Sequence, residues 1–232
     1  LTMYKYIRKN CLRPAEIYKE YVPQPYDTPD MLGIKMQMDV KYVPRVCYTG
    51  DKPYEKMYQY TIIDEATRER FIYAYQDKSG WSTKDFIQRA ILYFGYAPAI
   101  IQTDNGTEFT NPRGTNPGKV HIADKIMNQL KIKHQLIRPY TPRHNGKVER
   151  SHRTDQERFY NYLEYSTFEE LQEKMGEWLI RYNRTPSTAL RNRHGKRRMQ
   201  TPLAKRAEYL EILKEKGEQQ TIRFIKNHKR AA

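Results

Sequence analysis

A chain of 232 residues with a net charge of +15 and 38% hydrophobic residues can bury one sizeable core with appendages on it. Such charge calls for a polyanionic partner, and since no apolar run approaches the roughly 20 residues of a membrane span, that partner is nucleic acid and not a membrane. The two cysteines, Cys11 and Cys47, stand far apart without a CxxC spacing, so neither a zinc site nor a disulfide framework is implied, and a reducing cytosol fits.

Taken in order, Leu1 to Tyr21 reads as the trailing edge of an upstream module, with Tyr4, Ile7, Cys11 and Leu12 at helical spacing before Pro14. Pro23, Pro25 and Pro29 make the next stretch a stiff extended linker. These features divide the chain into a linker and tail at 1–32, a core at 33–185 and a basic extension at 186–232. From Gly33 to Val43, the residues Ile34, Met36, Met38, Val40 and Tyr42 alternate with Lys35, Gln37, Asp39 and Lys41. That is a strand with one buried face, and Asp39 lies on the polar one. A loop from Pro44 to Glu55 leads to two further strands, Met57 to Asp64 and Arg70 to Tyr75, joined by the polar turn Glu65 to Arg68 that Asp64 is expected to set.

Ser82 is the expected N-cap of a helix ending at Phe94, with Phe86, Ile87, Ala90, Ile91 and Phe94 facing inward. This crossover delivers a strand from Ala99 to Thr103 parallel to its neighbour. The strand ends on Asp104-Asn105-Gly106, and the Asn-Gly pair predicts a tight turn with positive backbone dihedrals that holds Asp104 at the strand mouth. Asn111 to Gly118 is a Pro, Gly and Asn-rich loop. Ile122, Ile126 and Leu130 mark another helix, and Ile132 to Ile137 a last strand. A helix can start near Lys147, which puts Glu149 in its first turn, where by itself a carboxylate is an ordinary dipole cap. Ser166 to Glu170 carries a capping-box pattern ahead of the core stripe Phe168, Leu171, Met175, Trp178 and Tyr182. The stretch from Arg191 to Ala232 contains 13 Lys or Arg against 4 Glu. Its cluster Arg193, Lys196, Arg197 and Arg198 suits a phosphate-contacting loop or a solvated charge run. Leu203 to Leu213 reads as a short helix and Thr221 to Ile225 as a short strand.

Asp39, Asp104 and Glu149 each sit in an extended signature. Gln37-Met38-Asp39-Val40, Gln102 to Phe109, and Tyr140 to Arg153 with its Thr-Pro-Arg-His-Asn-Gly-Lys-Val-Glu run together resemble the three catalytic blocks of the DDE integrase and transposase superfamily. The form closest to them is the integrase-type core of bacterial insertion-sequence transposases, and the resemblance runs from about Gly33 to Tyr182. The 44 residues between Asp104 and Glu149 exceed the usual retroviral spacing, and the Asn111 to Gly118 loop accounts for the surplus at small entropic cost. The resemblance implies an RNase H-like α/β fold: a mixed five-stranded sheet, three antiparallel strands then parallel ones, flanked by helices. In it the first and fourth strands are neighbours, so that Asp39 and Asp104 lie side by side under Glu149.

Three converging carboxylates repel one another unless a cation intervenes. Hard oxygen donors without His or Cys select Mg²⁺ or Mn²⁺, and two such ions about 3.5 to 4 Å apart support in-line displacement at phosphorus. The resemblance implies nicking and strand transfer at mobile-element ends by one site, acting on end DNA and a target duplex. It also implies a homo-oligomer, dimer or higher, assembled on DNA at a bacterial nucleoid. Lys147, Arg150 and Arg153 around Glu149, with Lys133, Arg138 and Arg143 beyond, are the expected phosphate contacts. His144 and His152 are expected to contact DNA or to act as structural donors. An RNase H-type nuclease and a non-catalytic DNA-binding relative are the alternatives. Charge of this kind gives affinity without sequence readout, so strong salt sensitivity with little preference for element ends is expected.

Overall fold

The computed structural model describes residues 28–111, 119–137, 145–191 and 199–215. Five strands form the central sheet: β1 (Lys35–Tyr42), β2 (Tyr58–Asp64), β3 (Arg70–Tyr75), β4 (Ile100–Thr103) and β5 (Lys133–Leu136). Their order across the sheet is β3-β2-β1-β4-β5. β1, β2 and β3 pair antiparallel, and β4 and β5 add in parallel beside β1. This is the mixed sheet that the resemblance implies, with the first and fourth strands adjacent.

The helices are α1 (Gly80–Phe94), α2 (Ile122–Gln129), α3 (Gly146–Arg158), α4 (Phe168–Arg184) and α5 (Pro202–Glu215). α1 and α2 cover one face, where Met36, Met38, Tyr60, Ile62 and Ile101 of the sheet meet Phe86, Ile87, Phe94, Ile126 and Met127 in an apolar core. α4 covers part of the other face, packing Leu171, Met175, Trp178 and Leu179 with Ile72 and Ala74 of β3. β1 is covered on both faces. Its second row, Gln37, Asp39 and Lys41, is not a solvent face, because α3 lies against β1.

The cap of α1 is Ser79, one turn before the expected Ser82. Ser79 Oγ accepts the Ser82 N–H, while Asp77 Oδ1 accepts from Ser79 N and Ser82 Oγ, so the chain is ordered for helix one turn sooner. Gly95 ends α1 at φ 75°. At α4 half of the capping box forms as read: Thr167 Oγ1 accepts the Glu170 N–H, while Glu170 reaches one residue past the cap and accepts from Ser166 N and Oγ. Asp64 sets the β2–β3 turn as expected, accepting from Ala66 N, Thr67 N and Gly33 N.

Two features of the basic extension were not anticipated. A short pair, β6 (Ser187–Arg191) with β7 (Met199–Gln200), precedes α5. α5 itself packs onto the core: Leu213 is buried, and Arg206 donates to Glu69 Oε1 at 2.8 Å and to the Phe94 carbonyl at 2.7 Å. The expected N-terminal tail and linker to residue 27, the loop from residue 112 to 118 and the strand at Thr221 to Ile225 lie outside the described residues.

Candidate active site

The parallel register pairs Gln37 with Gln102, so Asp39 and Asp104, each two residues further along, come level, Asp39 within β1 and Asp104 just past the end of β4. Glu149 stands in the first turn of α3, exposed, above them. What fixes that helix is a side chain of β1. Gln37 Oε1 accepts the N–H groups of Lys147 and Val148 at 3.0 and 3.1 Å, the capping that Asn145 does not supply. Gln37 Nε2 in turn donates to Glu65 Oε1, and Lys147 Nζ pairs with Glu65 Oε2. Lys147 is therefore turned inward, with a side chain only 12% exposed. This corrects its reading as a phosphate contact: a buried glutamate 82 positions away in sequence claims its charge.

The far end of α3 is anchored by a second buried polar group. Asp155 accepts from Arg70 Nη2 at 2.5 Å, Trp178 Nε1 at 2.7 Å and Gln59 Nε2 at 2.8 Å, and Arg70 and Asp155 have no exposed side-chain surface. The Arg70 guanidinium also lies 3.6 Å from the Tyr182 ring centre. α3 thus docks on the sheet largely through hydrogen bonds, with Val148 its one buried apolar residue.

Between these anchors, His152 Nδ1 comes within 3.4 Å of Asp39 Oδ2, and Asp39 Oδ1 accepts the Val40 N–H at 2.8 Å. Burial drives the Asp39 carboxyl up to about 7 against the Val40 hydrogen bond, and the charges of Asp104, Glu149 and Glu108 push the same way. Burial likewise drives His152 down to about 4, against the pull of Asp155 and helped by Lys41 and Arg70. The imidazole is neutral near pH 7, and its contact with Asp39 is not an ion pair.

Glu108 was not singled out by spacing. It is buried, with Lys78 Nζ 3.8 Å from its Oε2, and it brings a fourth carboxylate into the field of Asp39. Gly106 matters for room and not for conformation. Among the described residues only Gly33 and Gly95 are glycines with positive φ, so the expected positive-dihedral turn at Asn105-Gly106 does not form. A Cβ at Gly106 would instead meet the Glu108 carboxylate at 2.7 Å and Asp104 Oδ1 at 3.0 Å. Asp104 Oδ1 accepts the Gly106 N–H at 2.9 Å, and Asn105 Nδ2 donates to the Ile137 carbonyl.

Arg150 and Arg153 are exposed, the latter paired along α3 with Glu157. Arg138, Arg143, His144, Arg193, Lys196, Arg197 and Arg198 lie outside the described residues. Among the described residues no group of three His, Cys, Asp or Glu stands arranged to hold a metal ion. The donor chemistry nevertheless fits a hard divalent cation: the donors are all carboxylates, and burial with the charges of Asp104 and Glu149 holds Asp39 at a pKa that a cation would lower.

Comparison with known proteins gives a consistent picture. Residues 31–142 and 130–194 match two family models, each described as an integrase core domain. ORF3 of Spiroplasma virus SpV1-C74, an integrase by its name, is 33% identical over 163 residues, which are 64% of this chain and 42% of that protein. A chain of the simian T-cell lymphotropic virus intasome, solved with the PP2A regulatory subunit B56 gamma, superposes with a TM-score of 0.57 at 15% identity, over 80% of this chain and 59% of that one. The HTLV-2 integrase catalytic core domain, solved in complex with magnesium in a trimeric form, gives 0.52 at 19% identity over 75% of this chain and 96% of that domain. The BIV integrase catalytic core domain gives 0.51 at 20% identity over 79% and 98%. The chain thus spans less than two thirds of the viral protein and of the intasome chain, and nearly the whole of the isolated core domains.

Proposed function

We propose that residues 31–194, which match integrase core domain models, form a DDE-type core that nicks and joins DNA strands at the ends of a mobile element in a divalent-cation-dependent reaction. What supports this reading is the register that sets Asp39 of β1 level with Asp104, just past β4, and the first-turn position of Glu149 on α3, with the Asp39 carboxyl raised in part by the charges of the other two. Asp39, Asp104 and Glu149 would hold two Mg²⁺ or Mn²⁺ ions, whose chemistry when bound is Lewis-acid stabilisation of the attacking and leaving oxygens at phosphorus. No side chain is asked to be a nucleophile. That role falls to water in nicking and to a DNA 3′-hydroxyl in joining. His152 packs beside Asp39 and limits its rotation, Gln37 and the Glu65–Lys147 pair set the height of Glu149, and exposed Arg150 and Arg153 meet backbone phosphates.

The test is strand joining of an oligonucleotide carrying an element end into plasmid DNA, with Mg²⁺ or Mn²⁺ and with chelator. Joining that requires the cation supports the proposal, and its absence under all conditions would overturn it. A second reading, an RNase H-type nuclease, draws on Glu108 as a fourth acid in the field of Asp39. Cleavage with no joining would select it. The same reading of α3 gives a smaller expectation. Arg153→Ala should weaken binding to every duplex alike and lower the slope of log affinity against log salt by about one. An unchanged slope would remove Arg153 from the phosphate contacts.

A further inference from the structure

Behind Asp104, on the face of the sheet away from α3, three side chains form a chain of close polar contacts that the reaction as described does not use. Asp124 Oδ1, in the first turn of α2, is 2.6 Å from His134 Nδ1 on β5. His134 Nε2 is 2.8 Å from Thr103 Oγ1, at the end of β4. Thr103 Oγ1 then donates to the main-chain carbonyl of Asp104 at 2.9 Å. The His134 side chain is only 9% exposed and Thr103 is fully buried. Both ring nitrogens of His134 are thereby occupied, one by a carboxylate and one by a hydroxyl, which fixes the ring's orientation.

The consequence lies in geometry. Thr103, the last residue of β4, turns its hydroxyl to His134, while Asp104, the next residue, acts by its charge on Asp39. The carbonyl held by Thr103 belongs to the residue whose charge acts on Asp39. Asn105 Nδ2 on the Ile137 carbonyl and Gly106 N on Asp104 Oδ1 grip the same segment from its other side. A backbone so held leaves Asp104 few alternative directions. Without the grip, a residue just past the end of a short strand is free to swing, and a cation site pays for each ångström of misplacement.

We propose that Asp124, His134 and Thr103 are positioning residues for Asp104, acting through its backbone from the opposite face of the sheet to set the affinity of the carboxylates for a divalent cation. This rests on the functional reading above. It is tested by a readout that does not depend on turnover: the Mn²⁺ concentration giving half-maximal thermal stabilisation of the DNA-free chain, measured beside the melting temperature in chelator. Partners that orient cation-ligating groups are worth roughly 10- to 100-fold in affinity. His134→Phe, which keeps ring volume and removes both contacts, should therefore raise the Mn²⁺ midpoint at least about tenfold. Thr103→Val, which removes only the hydroxyl, should do the same, and Thr103→Ser, which restores it, should return to within about threefold of wild type, below the range of that principle. Wild-type midpoints for Thr103→Val would overturn the proposal, as would equal effects of Val and Ser. Should His134→Phe fail to fold, the Val and Ser pair decides alone. Asp104→Asn is the control for the reading underneath: an undiminished Mn²⁺ response in that variant would overturn the carboxylate site itself and this inference with it.

Discussion

Asp104→Asn is expected to yield a folded chain that still binds duplex DNA and joins no strands. The substitution is nearly isosteric, and an amide oxygen can still accept the Gly106 N–H that now reaches Asp104 Oδ1 at 2.9 Å, so the turn after β4 has no reason to open. One like charge leaves the surroundings of Asp39, which relieves part of what pushes that carboxyl up to about 7. What is lost is a charged ligand. Lewis-acid stabilisation is worth several kcal/mol, and each 1.4 kcal/mol is about tenfold in rate, so a loss of roughly a thousandfold or more in joining is expected. Joining, filter binding and a melting curve on one preparation check all three parts. Joining retained above roughly a tenth of wild type, about 1.4 kcal/mol, would remove Asp104 from the site.

The largest effect on stability is expected at Asp155. Burial by itself would raise its pKa, yet the Arg70 guanidinium, with hydrogen bonds from Arg70, Gln59 and Trp178, holds the carboxyl below the ordinary aspartate value. Asp155→Asn leaves the fully buried guanidinium of Arg70 without a counter-charge. Losing one partner of a buried pair costs about 3–5 kcal/mol, a large share of the roughly 5–15 kcal/mol that holds a domain together. The sign with pH follows from the direction of the shift. A group whose pKa is lower folded than unfolded adds stability above its unfolded value of about 3.9, and that stability is lost as pH falls through the lower, folded value. Urea unfolding should thus show a wild-type chain that weakens sharply below about pH 4 and a variant already weak at pH 7 with a flatter acid limb. Parallel pH profiles would show that Asp155 is not the group responsible.

How much of this could be read from residues alone depended on whether burial was apolar. The alternation of Met36 and Met38 with Gln37 and Asp39, and the spacing of Phe86, Ile87, Ala90 and Phe94, record burial in oil, and they placed β1 and α1 within a turn of where they lie. Ser82 was mistaken for the cap because Ser79 is an equally good capping residue, and Asp77, accepting from Ser79 N and Ser82 Oγ, organises the turn around Ser79. α3 was legible at its start but not along its length, since the residues it turns inward are Ser151, His152 and Asp155 as well as Val148. Polar burial leaves no hydropathy period. Lys147 was misread for the same reason: its partner Glu65 is distant in sequence and looked like a turn residue. The order of Asp39, Asp104 and Glu149 was legible because each stands in a distinctive local run, whereas Glu108 and His134 matter only through neighbours that folding supplies.

The docking of α5 bears on where this chain can be cut. Glu69 is a buried acid whose carboxyl is pushed up to about 7 by burial against the pull of Arg206, and Arg206 also ties up the carbonyl of Phe94 near the end of α1. A fragment ending at residue 185 would keep all three acids of the site yet strand Glu69 without its guanidinium and bare the seat of Leu213. Limited proteolysis should accordingly stop short of α5, and the smallest self-sufficient piece reaches at least Leu213. Modularity in this molecule does not follow the change in composition: a stretch that reads as a polycationic appendage contains a structural clasp.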